Sequence, residues 1–192
     1  TITHVLFTAM VAYAMSRSDL PCRKFIYWFN MFTMFFGGGL IPFYILLKQI
    51  KLINTFWVYV IPGLYSVYNM IICSNYFRSI PEEIHESATM DGASEFKVFY
   101  KLYLPLSTPV LATIAVLNAL WVWGEYLVAF LVYGTKKPMT LPVSQQYFYG
   151  TYSNQWNLIL AGFVVSTLPI VIFYIVMQKH IVKGIAAGAV KG

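Results

Sequence analysis

Charge is scarce in this sequence, and negative charge most of all. Of 192 residues only 10% are Asp, Glu, Lys or Arg, where an ordinary soluble domain carries roughly 25%. Seven acids stand against 13 Lys and Arg, for a net charge of +6. So little charge cannot clothe a globule of this length in polar surface, and a soluble globular enzyme is excluded. The basic excess would suit nucleic acid in a soluble protein; in an apolar one it suits loops lying against anionic headgroups, and nucleic acid is set aside as a partner. Cysteine is nearly absent, and Cys22 and Cys73 form no metal-like spacing, so neither a disulfide nor a thiolate metal site is expected. No Gly-x4-Gly-Lys-Ser/Thr phosphate loop occurs. His85-Glu86 has Thr89 where a zinc-protease helix needs its second His. Ser94 and Lys97 match a Ser-x-x-Lys spacing with no triad partner in view. Both enzyme readings fail, and no catalytic residue or metal ligand is assigned.

What the sequence does have is apolar length. Hydrophobic residues make up 59% and aromatics 18%, with a mean hydropathy of +0.65. A membrane-spanning helix needs about 20 apolar residues. Phe25–Leu47, Ile53–Tyr76, Leu106–Val132 and Leu158–Met177 are long enough to span. Ile2–Met15 is shorter and has no basic flank ahead of it, so the sequence reads as starting inside a helix. The expectation is an all-α membrane protein with five hydrophobic segments. Placing the loop between the third and fourth segments in the cytoplasm puts Arg17, Arg23, Lys24, Arg78, Lys97, Lys101, Lys179, Lys183 and Lys191 inside. Lys48, Lys51, Lys136 and Lys137 then lie outside, which satisfies the positive-inside rule. Tyr133, Tyr147, Tyr149, Tyr152 and Trp156 fall along the outer loop, where amphipathic rings favour the headgroup zone.

The cytoplasmic loop, Ser79–Lys101, holds Glu82, Glu83, Glu86, Asp91 and Glu95, five of the seven acids. Ser79 reads as the N-cap of a helix running to about Met90, with Glu82 as its capping-box partner and Pro81 in the first turn. Gly92 offers a break. Asp91 or Ser94 can cap a second short helix that presents Phe96, Phe99, Tyr100 and Tyr103 on one aromatic face. Such a pair suits docking in a partner's groove, though composition alone fits a solvated loop or a helix lying on headgroups equally well. Pro105 and Pro109 end the unit and start the next membrane helix.

The spacing Glu86-Ser87-Ala88, three residues, Gly92, nine residues, Leu102, one residue, Leu104-Pro105 resembles the cytoplasmic signature of ABC importer permeases, Glu-Ala-Ala-x3-Gly-x9-Ile-x-Leu-Pro. Ser87 and Leu102 are conservative departures from it. The similarity covers nearly the whole chain. The run Lys183-Gly184-Ile185-Ala186-Ala187-Gly188-Ala189-Val190-Lys191-Gly192 resembles the tail of maltose-type carbohydrate permeases, and Gly37-Gly38-Gly39-Leu40-Ile41-Pro42 resembles a segment of permeases for complex oligosaccharides. The resemblance implies a polytopic transmembrane bundle with its N-terminal part missing, in the bacterial inner membrane. It implies one permease domain over 1–192, with a coupling loop at about 79–105 and a cytoplasmic tail at about 179–192. It further implies a second homologous permease, two ATPase subunits carrying ATP and Mg, and an extracytoplasmic substrate-binding protein. ATPase coupling would fall to Glu82, Glu83, Glu86, Ser87, Ala88, Asp91, Gly92, Phe96, Leu104 and Pro105, with tail contacts from Lys183, Gly184, Gly188 and Lys191.

Within the spanning segments Glu125 is the one ionisable group, and such a charge must pair, protonate or face water. Asn118, Trp121 and Glu125, at i, i+3 and i+7, are expected to share a helix face suited to a sugar, or else to make an interhelical polar contact. Family members resemble Trp-Asn-Glu-aromatic where this chain has Trp123-Gly124-Glu125-Tyr126. Tyr65 and Asn69 make a second candidate patch on a helix kinked by Pro62, with core packing as the plainer account. A permease for a non-sugar solute and an ion-coupled carrier using Glu125 stay open as alternatives. Gly92→Pro should uncouple transport from ATP hydrolysis; normal uptake into vesicles by that variant would remove the loop from the mechanism.

Overall fold

A computed structural model describes residues 1–133, 140–145 and 156–189, with positions 133 and 179–189 described as backbone. Among the described residues there are helices and turns and no strand: α1 (Ile2–Ser16), α2 (Arg23–Phe35), α3 (Leu40–Gln49), a 3-10 turn (Phe56–Tyr59), α4 (Val67–Arg78), α5 (Glu82–Met90), α6 (Glu95–Val98), a π turn (Phe99–Tyr103), α7 (Leu104–Leu106), α8 (Thr108–Trp123), α9 (Leu127–Tyr133), α10 (Leu141–Ser144) and α11 (Trp156–Ala189). The chain divides into two compact units: residues 1–37, 63–117 and 178–192, and residues 38–62 and 118–177.

The first unit is built on α1 packed along α4. Ala9 and Ala12 are fully buried on α1, because small side chains let helix backbones approach closely where lipid supplies no hydrophobic drive. Towards one end of this pair, His4 and Asn69 pair inside the core. His4 donates from Nδ1 to the Gly63 carbonyl at 2.7 Å and accepts at Nε2 from the Asn69 amide at 2.9 Å. That pattern is complete for a neutral imidazole, which is how a buried histidine avoids the cost of charge. Towards the other end, Tyr13, Phe77, Phe99 and Tyr103 form an aromatic cluster. Tyr13 and Tyr103 meet edge to face at 4.8 Å, Phe77 and Tyr103 at 5.6 Å, a geometry the ring quadrupoles favour. Arg78 donates to the Met15 carbonyl and Arg23 to the Arg17 carbonyl, so cations satisfy the carbonyls at the end of α1 that its own ladder leaves open.

In the second unit Leu47, Val58 and Val132 form a small core with Phe43, Tyr44, Ile53 and Val128 around it. α11 is 34 residues long, and its stretch Trp156–Gln178 is, among the described residues, the one helix long and apolar enough to cross a membrane alone. It matches the expected Leu158–Met177 segment. The Pro169 ring leaves it continuous, as membrane helices allow when neighbours re-satisfy the freed carbonyl.

The other three expected spans are interrupted, each at residues that resist helical dihedrals. Phe25–Leu47 breaks between α2 and α3, where Gly39 has φ +83°, a conformation other residues adopt at a cost. Ile53–Tyr76 is not one helix: a 3-10 turn occupies Phe56–Tyr59, and α4 begins only at Val67, after Pro62 and Gly63, with the Ser66 side chain accepting from the Asn69 N–H. Tyr65 therefore precedes the helix that carries Asn69, and the expected i, i+4 patch does not form. Tyr65 donates instead to Asn30 Oδ1 at 2.6 Å. Leu106–Val132 stops at Trp123 and resumes at Leu127.

The aromatic cluster sets an expectation for stability. Phe77→Ala, at a side chain 1% exposed, should cost about 3–5 kcal/mol, read as a fall in the denaturation midpoint of the purified protein in detergent. Ile41→Ala, exposed on α3, should cost under about 0.5 kcal/mol in the same assay.

Candidate functional site: a pinned pair of short helices

The acid-rich loop folds as two short helices joined at Gly92. α5 opens with Glu82 and Glu83 in its first turn, where the positive end of the helix dipole favours carboxylates. Its N-cap is Pro81, not Ser79: the Ser79 hydroxyl donates back to the Tyr76 carbonyl at 2.7 Å and closes α4. Glu82 is drawn away from the expected capping box by a guanidinium, with its Oε1 3.1 Å from the Arg17 side chain.

α5 ends in a Schellman turn. The Gly92 N–H donates to the Thr89 carbonyl at 2.9 Å, and the Ala93 N–H to the Ala88 carbonyl at 3.0 Å. Closing those two bonds requires a left-handed residue at Gly92, and its φ is +77°. A Cβ there would meet nothing within 4 Å, so glycine is required by backbone conformation and not by space. Any other L-residue would carry a penalty of about 1 kcal/mol. Ser94 then stands at the N-cap of α6, without a side-chain capping bond.

One side of this elbow is fastened to the core. Glu95 accepts from the Tyr13 hydroxyl through Oε2 at 2.6 Å and from His85 Nε2 through Oε1 at 3.0 Å. One carboxylate thus joins α5, α6 and α1. Burial opposes ionisation of Glu95, but the hydrogen bonds from Tyr13 and His85 and the nearby Arg17 charge outweigh it and hold the carboxyl below the usual range. The sequence offered no sign of these roles for Tyr13 and Arg17, because nothing in local spacing says that α1 reaches residues as far as 82 positions away, and His85 was weighed only as a zinc-protease fragment.

The other side faces outward. Met90 is 88% exposed, Phe96 66% and Tyr100 63%, an apolar patch of the kind that marks a contact surface. The expected single aromatic face is in fact two: Phe96 and Tyr100 point out, while Phe99 and Tyr103 are buried, with the π turn falling over the same residues. Glu83, Ser87, Ala88, Asp91 and Leu102 line a shallow depression of about 400 Å3. Glu86 is exposed on the same helix. Leu104 packs against the core and Pro105 is exposed in α7.

The expected substrate-pathway residues are dispersed. Asn118 is buried and Trp121 is 65% exposed, so these two do not share an environment. Among the described residues the Asn118 side-chain oxygen has no hydrogen-bond partner. Glu125 lies past the end of α8 and accepts from the Val128 N–H at 3.0 Å, capping α9; the break at Gly124 takes it off the helix face of Asn118 and Trp121. Lys183, Gly184 and Gly188 fall on the continuous backbone of α11, and Lys191 lies outside the described residues.

The described residues thus combine a helix of membrane-spanning length with a helical elbow fastened on one side and exposed on the other. The chain belongs to the family of binding-protein-dependent transport system inner membrane components, whose model matches residues 5–187. It is 32% identical to the polygalacturonan/rhamnogalacturonan transport system permease protein YtcP of Bacillus subtilis, over all of this chain and 72% of the relative. It is 35% identical to the probable starch degradation products transport system permease protein AmyC of Thermoanaerobacterium thermosulfurigenes, over 97% of this chain and 69% of the relative. A crystal structure of a bacterial ABC transporter that imports the acidic polysaccharide alginate contains a chain superposing with a TM-score of 0.84 at 29% identity, over 93% of this chain and 69% of that one. The ABC importer permease resemblance and the all-α permease fold are thereby confirmed.

The fastening through Glu95 has a pH signature. Its folded carboxyl titrates below the ordinary value of 4.5, so its contribution is full above about pH 4.5 and fades as pH falls through the lower, folded value. Tyr13→Phe removes one hydrogen bond to a charged, half-exposed acceptor, about 1 kcal/mol. Amide exchange across residues 82–98 should quicken about fivefold at neutral pH, with the difference from wild type shrinking as Glu95 is protonated; unchanged exchange would mean the contact does not hold the loop.

Proposed function

We propose that this chain is a multi-pass permease subunit of an ATP-driven bacterial importer, forming part of the translocation pathway for an oligosaccharide or other carbohydrate. It works with a second homologous permease, two ATPase subunits that bind ATP and Mg, and an extracytoplasmic substrate-binding protein. The observation that carries the reading is the elbow of α5 and α6, fixed to α1 on one side and presenting Met90, Phe96 and Tyr100 on the other. The sugar reading draws on the carbohydrate systems named among the relatives.

In this scheme Glu82, Glu83, Glu86, Ser87, Ala88, Asp91, Gly92 and Phe96 seat in a cleft of an ATPase subunit, while Leu104 and Pro105 carry the loop into the membrane. ATP binds the closed ATPase pair better than the open one, and that difference is what shifts the population of permease states. A moved elbow cannot slide freely over the core, because Glu95 ties it to Tyr13 and Arg17 reaches Glu82. The displacement therefore reaches α1, and through it α4. Asn118, Trp121, Tyr65 and Asn69 remain pathway candidates, and the tail lysines and glycines contact candidates for the ATPases. Glu125, already spent on capping α9, gives an ion-coupled carrier little to work with.

The test is purification from the native membrane with identification of copurifying subunits, followed by ATPase assays with the binding protein and a panel of maltotriose, raffinose, trigalacturonate and an alginate trimer. ATPase subunits should copurify, and at least one sugar should raise hydrolysis severalfold. Copurification with no response to any sugar would retain the importer and overturn the cargo. Absence of ATPase subunits under conditions that preserve such complexes would overturn the importer.

A further inference from the structure

Where the end of α1 meets α2 and α4, the first unit brings three arginines together, and only one of them faces an acid. Arg17 has Asp19 at 3.5 Å and Glu82 at 3.1 Å. All seven acids of the sequence lie among the described residues, and the carboxylate ion pairs found there go to Arg17 and His85. Arg23 and Arg78 are left without a counter-charge from this chain's Asp and Glu residues.

Both guanidiniums are nonetheless fixed in place. Arg78 Nη2 donates to the Met15 carbonyl at 3.0 Å, and Arg23 Nη1 donates to the Arg17 carbonyl, also at 3.0 Å. The closing turn of α1 therefore holds two like charges near one another. Loss of hydration and, after it, the charge of Arg23 lower the pKa of Arg78, as a neighbouring cation must. A guanidinium carries more N–H donors than the one that each arginine spends on a carbonyl. The donors that remain, on two anchored forks, suit the oxygens of a phosphate, and its negative charge would relieve the repulsion between them.

The surface beside the arginines indicates what carries that phosphate. α2 begins at Arg23 and buries none of its side chains in this chain. Lys24 is exposed, and directly after it Phe25 is 73% and Trp28 71% exposed. Phe25 lies against Phe29 with ring centroids 6.4 Å apart. A free phosphate gains nothing from these rings, whereas a phospholipid has acyl chains to lay along them. Over its first turns α2 thus passes from cations to apolar aromatic surface, the order in which a lipid presents headgroup and chain.

We infer that Arg23 and Arg78 form a site for the phosphate of an anionic phospholipid, with Lys24 adding charge and the exposed aromatic surface of α2 taking an acyl chain. A zwitterionic lipid brings a cation of its own and would restore the repulsion that the phosphate relieves. The site depends on no cargo and no ATPase, so it is tested apart from the transport reading.

The experiment takes the whole protein, with any subunits that accompany it, stripped of lipid in detergent. It is titrated with phosphatidylglycerol, and bound lipid is read by native mass spectrometry. Wild type should bind phosphatidylglycerol and gain in denaturation midpoint. Arg23→Gln and Arg78→Gln should each weaken binding about fivefold, the worth of one cation beside an anionic headgroup. Lys48→Gln with Lys51→Gln, which removes two exposed cations from the second unit, should leave binding unchanged. Should Arg78→Gln fail to fold, Arg23→Gln with Lys24→Gln leaves the bond to Met15 intact and carries the test. Wild-type affinity in the arginine variants, an equal loss in the lysine pair, or equal binding of phosphatidylcholine would each overturn the site. If inorganic phosphate raises the midpoint as much as phosphatidylglycerol does, the arginines hold free phosphate and the lipid is overturned.

Discussion

The Glu95 carboxylate is the point on which the acid-rich elbow of this protein turns. It accepts from Tyr13 on α1 and from His85 on α5 while belonging itself to α6. Three elements far apart in sequence meet through two oxygens of one side chain. Around that point the aromatic rings of Tyr13, Phe77, Phe99 and Tyr103 supply apolar contact, and Arg17 adds a second link to Glu82. Packing and charge act on the same contact. The rings fix the Tyr13 hydroxyl where it meets the half-exposed carboxylate, so the hydrogen bond forms without further ordering of the donor.

The membrane class was legible in composition, and the helical class in apolar runs of spanning length. α11 was legible because an uninterrupted apolar run has few alternatives to a spanning helix. The break at Gly92 and the end of α5 near Met90 were legible from the glycine. The remaining spans were read as continuous because hydropathy averages over a window and does not register a left-handed residue such as Gly39 or a turn at Pro62-Gly63. The capping box at Ser79 failed for a related reason. A local motif competes with tertiary partners, and Arg17 offered Glu82 a full charge where the motif offered one N–H.

Candidate pathway residues were scattered by the fold, unlike those of the acid-rich loop. The loop residues sit together because they are close in sequence and confined by two short helices. Asn118, Trp121 and Glu125 were grouped by assuming one helix through Gly124, and the chain leaves helix after Trp123. A cavity of about 780 Å3 beside Trp123 was not legible at all, since its walls come from residues 123 to 170 and only the fold brings them to one place. Gln145 and Ser166 carry no motif. Gln145 is buried, and its side-chain amide reaches Ser166 on α11.

The turn at Gly92 joins two helices at an angle set by backbone dihedrals, with empty space where a side chain would be. Such a position discriminates by handedness and not by volume. A D-alanine would enter it with its preferred dihedrals, while L-alanine, of the same size, would strain it. The angle between the two helices of this elbow is thus written in the chirality of a single α-carbon.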